Sequence, residues 1–329
     1  MPSWDKMRRF TPAGQPPAPM PQPIARRIES FRQESRVRAG SLIISVFGDA
    51  VLPRGGRIWL GSLIRLLQPL GVSERLVRTS VFRLAKAEWL RAESLGRRAD
   101  YLLTESGRQR FEEASRLIYA SRAPQWDGQW RLILAVGGET SAKEREKLYR
   151  ALFWQGFGML GSDCYVHPGA DLKAVFDALE VEGFAGRLEG LMPMLATESV
   201  AGRCADAADL VRRAWNLEEL VAAYAGFVAA YRPILDQLEK TAEVADEDAF
   251  LLRILLIHDY RRLLLRDPDL PEELLPNRWP GRQARSLCRD IYGRLLAASE
   301  RHLDDHLRLA DGSLPALTTD LAARFPNAA

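Results

Sequence analysis

Apolar residues recur at three- and four-residue spacing along most of this chain, and the interruptions divide it into elements. Val37, Leu42, Ile43, Val46 and Phe47 share a stripe that predicts a helix over 26–51. Pro53-Arg54-Gly55-Gly56 breaks it, Arg57 to Leu60 reads as a short strand, and Gly61 to Leu67 as a helix. Pro69, Leu70 and Gly71 turn the chain. Ser73 is a favoured N-cap, and Glu74 suits the positive end of the helix dipole that follows. In that helix, 74–88, Val77, Val81 and Leu84 form one stripe with Ser80 and Ala85 beside it. Arg75, Arg78, Thr79, Arg83 and Lys86 lie opposite. Two strands follow, Trp89 to Ser94 and Asp100 to Leu103, joined by the tight turn Leu95-Gly96-Arg97-Arg98. Thr104 then caps a helix to about Ala120, with Leu117 and Ile118 on its buried side.

Beyond a linker around Ala123–Gly128 the pattern alternates. Strand Trp130 to Val136, helix Ser141 to Gln155, strand Gly158 to His167, helix Asp171 to Leu179 and a strand at Arg187 to Leu191 predict a small α+β sandwich with one sheet. Residues 199–214 fit no single pattern. From Asn216 onward the pattern is helical: Leu217 to Leu238 holds a 3.6-residue period, with a kink expected at Pro233. Asp246 to Arg266 is apolar nearly all round and therefore central, and Ala284 to Leu309 forms a last long helix. The expected organisation is a disordered Pro-rich tail over 1–24, a DNA-binding domain over 25–122, an α+β domain over 123–214 and a helical domain over 215–329. The fold class is α+β, mostly α.

Helix, short strand, helix, turn, helix, two-stranded ribbon and helix is the order of a winged helix-turn-helix. Charge agrees with it. Residues 36–122 carry 16 Lys/Arg against 8 Asp/Glu, whereas 123–329 carry 24 against 32, so a basic module is joined to an acidic body. The cations gather at the two places this fold presents to duplex DNA. Arg75, Arg78, Thr79 and Arg83 are candidates for base or adjacent phosphate contacts, because a recognition helix enters the major groove and Arg pairs with guanine O6 and N7. Lys86 is a candidate phosphate contact. Arg97 and Arg98, at the ribbon tip, would meet phosphate or the minor groove, with Arg54 and Arg57 in support. Phe82, at the edge of the exposed face, is expected to pack under the wing rather than to contact a thymine methyl.

Composition removes other classes. The chain has 329 residues, 47% of them hydrophobic and 27% charged, and no apolar run approaches the roughly 20 residues of a membrane span. The N-terminus lacks the apolar core of a signal peptide. Cys164, Cys204 and Cys288 lie far apart, form no metal-ligand spacing and fit small buried roles in a reducing cytoplasm. His302 and His306 have zinc-like spacing without the accompanying Glu of a metalloprotease helix, and read as a solvated face. His167, before Pro168, reads as structural. Neither a catalytic set nor a metal or cofactor site is expected.

The chain resembles the PaaX-type regulators of phenylacetic acid catabolism over about 36–310. The resemblance rests on "VRTSVFRLAKAEWL" (77–90) and "GRRADYLLTESG" (96–107), on "WRLILAV" (130–136) and "GFGMLGSDCYVHPG" (156–169), and most specifically on "HDYRRLLLRDPDLPEELLPNRWPG" (258–281). It implies a repressor of genes for aromatic acid breakdown, released from its operator by an aryl-acyl-CoA such as phenylacetyl-CoA. It also implies a middle segment similar to the ferredoxin-like Cas2 fold. A CoA thioester needs cations and an apolar slot, and His258, Tyr260, Arg261, Arg262 and Trp279 offer that mixture within one motif. A homodimer on an inverted-repeat operator is expected, because one recognition helix covers too few base pairs for genomic specificity. The alternative is a metal-dependent Cas2-like nuclease, which would want a carboxylate at the end of its first strand. Here that strand ends Leu134-Ala135-Val136-Gly137. For a CoA-ester enzyme, no paired base and nucleophile stands out.

Overall fold

A computed structural model describes residues 22–33, 39–119, 125–137, 141–197, 206–240, 243–319 and 321–325. Residues 1–21, Val37, Pro124 in the expected linker and Cys204 lie outside them. The chain is α+β and mostly helical.

The N-terminal part is a winged helix preceded by an extra helix. α1, Gln22–Arg32, carries Pro23 in its first turn, where a missing N–H costs nothing. Ile24, Ile28 and Phe31 are buried at i, i+4 and i+7. That burial corrects the tail boundary at 24: the helix already begins at Gln22. α2, Ala39–Val46, runs into a π-helical turn at Phe47–Val51 and a 3-10 turn at Leu52–Arg54. β1 (Arg57–Trp59), α3 (Leu60–Leu67), α4 (Glu74–Lys86), β2 (Leu90–Leu95), β3 (Arg98–Leu103) and α5 (Glu105–Ile118) follow. The antiparallel sheet has the order β1-β3-β2, with Tyr101 opposite both Ile58 and Ala92.

In the middle part, β4 (Gln129–Ala135), β5 (Gly158–Met159), β6 (Cys164–His167) and β7 (Leu191–Thr197) form an antiparallel sheet of order β5-β6-β4-β7. α6 (Ala142–Phe153), opened by a Ser141/Glu144 capping box, and α7 (Leu172–Leu179) cover one face over Ile133, Tyr165 and Leu191. α8 (Ala207–Ala214) covers the other over Trp130 and Val166. Two expectations fail here. The strand expected over 158–167 is a hairpin of two short strands. The last strand starts at Leu191, where the sequence expectation ends, and contains Pro193. β7 is an edge strand, where proline is tolerated.

α9 (Leu217–Leu238), α10 (Asp246–Leu264) and α11 (Pro280–His306) complete the chain. α9 continues through Pro233. Thirteen α10 residues are buried, which places this helix at the centre. The core is continuous from Ile24, Val46, Val77 and Phe111 through Tyr224, Ile254 and Leu287. The described residues of the winged helix and of α9, α10 and α11 therefore share one apolar interior.

A buried ionic network crosses that interior. Asp49 lies 2.7 Å from Arg253 Nε, its Oδ1 accepts from Tyr119 (2.6 Å), Tyr292 (3.1 Å) and Arg324 (2.9 Å), and Arg253 reaches Glu300 at 2.5 Å. The segment after α11 clasps the winged helix: Ala310 N donates to Asp100 (2.7 Å), Trp59 N to Arg308 O (3.1 Å) and Thr318 N to Pro53 O (2.7 Å).

Candidate nucleic-acid interface

α4 forms where its sequence caps it. Ser73 Oγ accepts from Leu76 N at 3.3 Å, with Glu74 in the first turn and Arg83 and Lys86 in the last. Val77, Ser80 and Val81 are buried, while Arg75, Arg78, Thr79, Arg83 and Lys86 are exposed, as their spacing predicts. Arg78 pairs with Glu74 at 2.7 Å, and Thr79 Oγ1 donates to Arg75 O at 2.8 Å. Arg75, Arg83 and Lys86 enter no ion pair found among the described residues. Phe82 corrects the sequence expectation. It does not pack under the wing but is 67% exposed. The space beneath the wing belongs to Trp89, edge-on to Phe111 at 5.6 Å.

The wing is a two-residue hairpin closed by Leu95 opposite Arg98. Gly96 takes φ +60 at the first loop position, a conformation glycine adopts without steric cost. Arg97 is exposed at the tip. Arg98 folds back, its guanidinium 4.8 Å from the Trp59 ring centroid and its Nη1 3.2 Å from Ala310 O. Arg54 lies away from the surface, whereas Arg57 is part exposed and pairs within the wing sheet. Arg54 is buried between Glu300 (2.7 Å) and Asp304 (2.6 Å). Arg57 is matched by Asp100 (2.7 Å) and Glu93 (3.0 Å). Arg54→Ala is therefore expected to leave Glu300 with Arg253 alone, deprive Asp304 of its ion pair and lower the thermal midpoint, while leaving the salt dependence of duplex affinity unchanged. An Arg54→Ala protein as stable as the parent but with a shallower salt slope would place Arg54 on DNA instead.

The five residues nominated for an acyl-CoA do not converge on one cavity. His258 is buried with Nδ1 3.2 Å from Ser45 Oγ, and burial pulls its imidazole down to about 4. Arg261 bonds Ser41 Oγ (2.7 Å) and Ser41 O (3.0 Å), so it ties α10 to α2. Its burial, and then the neighbouring Arg262, lower its pKa. Tyr260 packs on Phe227 at 5.7 Å, and Trp279 on Tyr224 at 5.7 Å. Arg262 alone faces an open hollow, of about 410 Å³, shared with Arg27, Tyr231, Asp259 and Arg266. A cleft of about 450 Å³ lies where the three parts of the chain meet, lined among others by Leu117, Phe153, Trp154, Trp215, Leu265 and Arg266. Arg266 borders both spaces and pairs with Glu219 at 3.1 Å. Leu117, expected on the buried side of α5, is half exposed at this cleft.

The remaining titratable candidates have structural partners. His167 Nδ1 accepts from Gly169 N at 2.8 Å, and burial lowers its imidazole to about 4. His302 is buried rather than on a solvated face, stacked on Phe250 (5.1 Å) and His306 (4.3 Å). Cys288 is buried and Cys164 partly so. Among the described residues no group of three His, Cys, Asp or Glu is placed to hold a metal, and no helix is long and apolar enough to cross a membrane. Two residues without a role in the sequence reading emerge here, Asp49 and Arg253. The signal for each was a charge inside an apolar run, Ser45-Val46-Phe47-Gly48-Asp49-Ala50-Val51 and Phe250 to Ile257.

Three family descriptions match the chain: the PaaX-like protein over 38–107, the PaaX protein central Cas2-like domain over 123–193 and the PaaX-like protein C-terminal domain over 215–305. The transcriptional repressor PaaX of Escherichia coli K12 is 40% identical over 284 residues, covering 85% of this chain and 87% of that protein. Among solved structures, the uncharacterized protein Rv0674 from Mycobacterium tuberculosis aligns with a TM-score of 0.45 at 22% identity, over 73% of this chain and 89% of its own. That likeness is too loose to support any conclusion.

Proposed function

The chain belongs to the PaaX family, and on that ground we propose that it is a cytoplasmic transcriptional repressor of phenylacetate-type catabolic genes, binding operator DNA as a homodimer through α4. The observation that carries the reading is the exposed face of α4, with Arg75, Arg83 and Lys86 outside any ion pair of the described residues and Arg97 exposed at the wing tip. Arg78 is available once its surface pair with Glu74, worth at most about 1 kcal/mol, opens. Base contacts then come from Arg75, Arg78, Thr79 and Arg83, and phosphate contacts from Lys86 and Arg97. Family membership favours a regulator over the Cas2-like nuclease, whose carboxylate the end of β4 lacks. The test is selection of duplexes from a randomised pool. An enriched inverted repeat with half-sites about one helical turn apart supports the proposal, and no enrichment rejects it.

We further propose that an aryl-acyl-CoA such as phenylacetyl-CoA releases the protein from DNA. The apolar cleft at the three-part junction suits the aryl-acyl group, and Arg266 and Arg262, toward the adjoining hollow, suit the CoA phosphates. Arg261 is withdrawn from that role because Ser41 and Ser45 already hold it. An effector releases DNA only by binding the DNA-free arrangement more tightly. The cleft is placed for that because Leu117, from the helix that follows the wing, lines it alongside the middle and C-terminal parts. In calorimetry phenylacetyl-CoA is expected to bind, and free phenylacetate, lacking phosphates, to bind far more weakly. Arg266→Ala should weaken the thioester about tenfold, the scale of one lost charge-assisted hydrogen bond. Equal binding of thioester by parent and Arg266→Ala would move the site elsewhere.

A further inference from the structure

We propose that Phe82 reads the 5-methyl group of a thymine in the major groove, which makes it a specificity residue of the DNA contact. This rests on the DNA-binding reading above. At 100° per residue Phe82 falls within the exposed arc of α4 rather than at its edge, between Arg78 on one side and Arg75, Lys86 and Thr79 on the other. Phe82 is 67% exposed, more than any other aromatic among the described residues of the winged helix. Trp89 and Phe111 occupy the space under the wing, and Trp59 sits beneath Arg65 and Arg98.

An apolar ring ringed by cations has few partners on a polyanion. Phosphates offer it nothing apolar, the C–H groups of the sugars are the same at every position and carry no sequence, and the base edges of the major groove offer the thymine methyl. The flanking cations would hold α4 against the backbone and bring the ring to the groove floor, where burial of the methyl excludes water from both. Thr79 stands one turn before Phe82, with its hydroxyl proton used within the helix on Arg75 O at 2.8 Å. The pair therefore presents more apolar than donor character at the centre of a basic face.

Duplexes that the full chain selects from a randomised pool supply the probe. Each deoxythymidine is replaced in turn by deoxyuridine, which deletes one methyl and keeps the pairing edge. The parent is expected to lose about fourfold in affinity at one position per half-site, the scale of one methyl group returned to water. Phe82→Ala should bind the thymidine duplex more weakly and show no further loss at that position. Phe82→Leu should retain part of the discrimination. A parent indifferent to deoxyuridine at every position overturns the proposal, as does a Phe82→Ala protein with the parental loss at the same position. Phe82 is exposed, so its variants should keep the parental thermal midpoint. If Arg83→Ala loses affinity while Phe82→Ala behaves as the parent, the DNA reading stands and this role for Phe82 falls. A parent that selects no duplex removes both.

Discussion

Replacing Asp49 with Ala is expected to cost about 3–5 kcal/mol of stability, the usual penalty when one member of a buried ion pair is removed. Asp49 and Arg253 have fully buried side chains and lie 2.7 Å apart. Without the carboxylate, Arg253 keeps one carboxylate partner, Glu300 at 2.5 Å, beside Ser299 Oγ and the Asp49 backbone oxygen, and Arg324 loses its contact with Asp49 Oδ1 at 2.9 Å. The hydroxyls of Tyr119 and Tyr292 lose their acceptor as well. The partners come from α2's π-turn, the end of α5, α10, α11 and the C-terminal segment, so the loss should loosen the winged helix and the helical part together. Urea denaturation is expected to show a single transition at a much lower midpoint. Replacing Asp49 and Arg253 together with apolar residues of similar volume should recover much of the loss, because desolvation of two charges is then avoided. An Asp49→Ala protein within about 0.5 kcal/mol of the parent would mean the network contributes only geometry.

The second large effect is expected on DNA. Arg83→Ala should weaken operator binding by about 1–3 kcal/mol if the lost contact is bidentate to guanine, and should relax preference at that base pair. Arg75→Ala should behave alike, since both side chains are exposed and outside the ion pairs of the described residues. Arg97→Ala should act differently, weakening all duplexes by a similar factor and flattening the salt slope by about one contact. Anisotropy titrations on selected and scrambled duplexes separate the two patterns. Identical losses on both duplexes for Arg83→Ala would make it a phosphate contact.

Local features were legible in the sequence because their causes are local. Ser73, the Val77/Val81 stripe and the opposing cations all lie within one helix, so α4 and its exposed face follow from spacing. Gly96 likewise marks its own turn. The fates of Arg54, Arg57 and Arg98 were hidden, because their partners Glu300, Asp100 and Ala310 lie 246, 43 and 212 residues away. The motif around 258–281 misled for a related reason. Neighbours in sequence on a central helix point to different sides: Arg261 toward Ser41, Tyr260 toward Phe227, Arg262 toward open solvent. The cleft with Leu117, Trp154 and Leu265 draws on segments far apart in sequence and leaves no linear signature.

β7 shows a different obstacle. Pro193 within Leu191–Thr197 argues against a strand when position in the sheet is unknown, and becomes acceptable once the strand lies at an edge. Phe82 shows a third. An aromatic beside a predicted ribbon is expected to be buried by default, and only the positions of Trp89 and Phe111 reveal that the space is already filled.

The most direct test of the account is the affinity of the intact protein for its selected duplex, measured against a scrambled duplex over a range of salt concentrations. Log affinity is expected to fall linearly with log salt, with a slope of several units from phosphate contacts such as Lys86 and Arg97. The selected duplex is expected to be preferred by about a thousandfold or more throughout. Equal affinity for the two duplexes, or an affinity indifferent to salt, would contradict it.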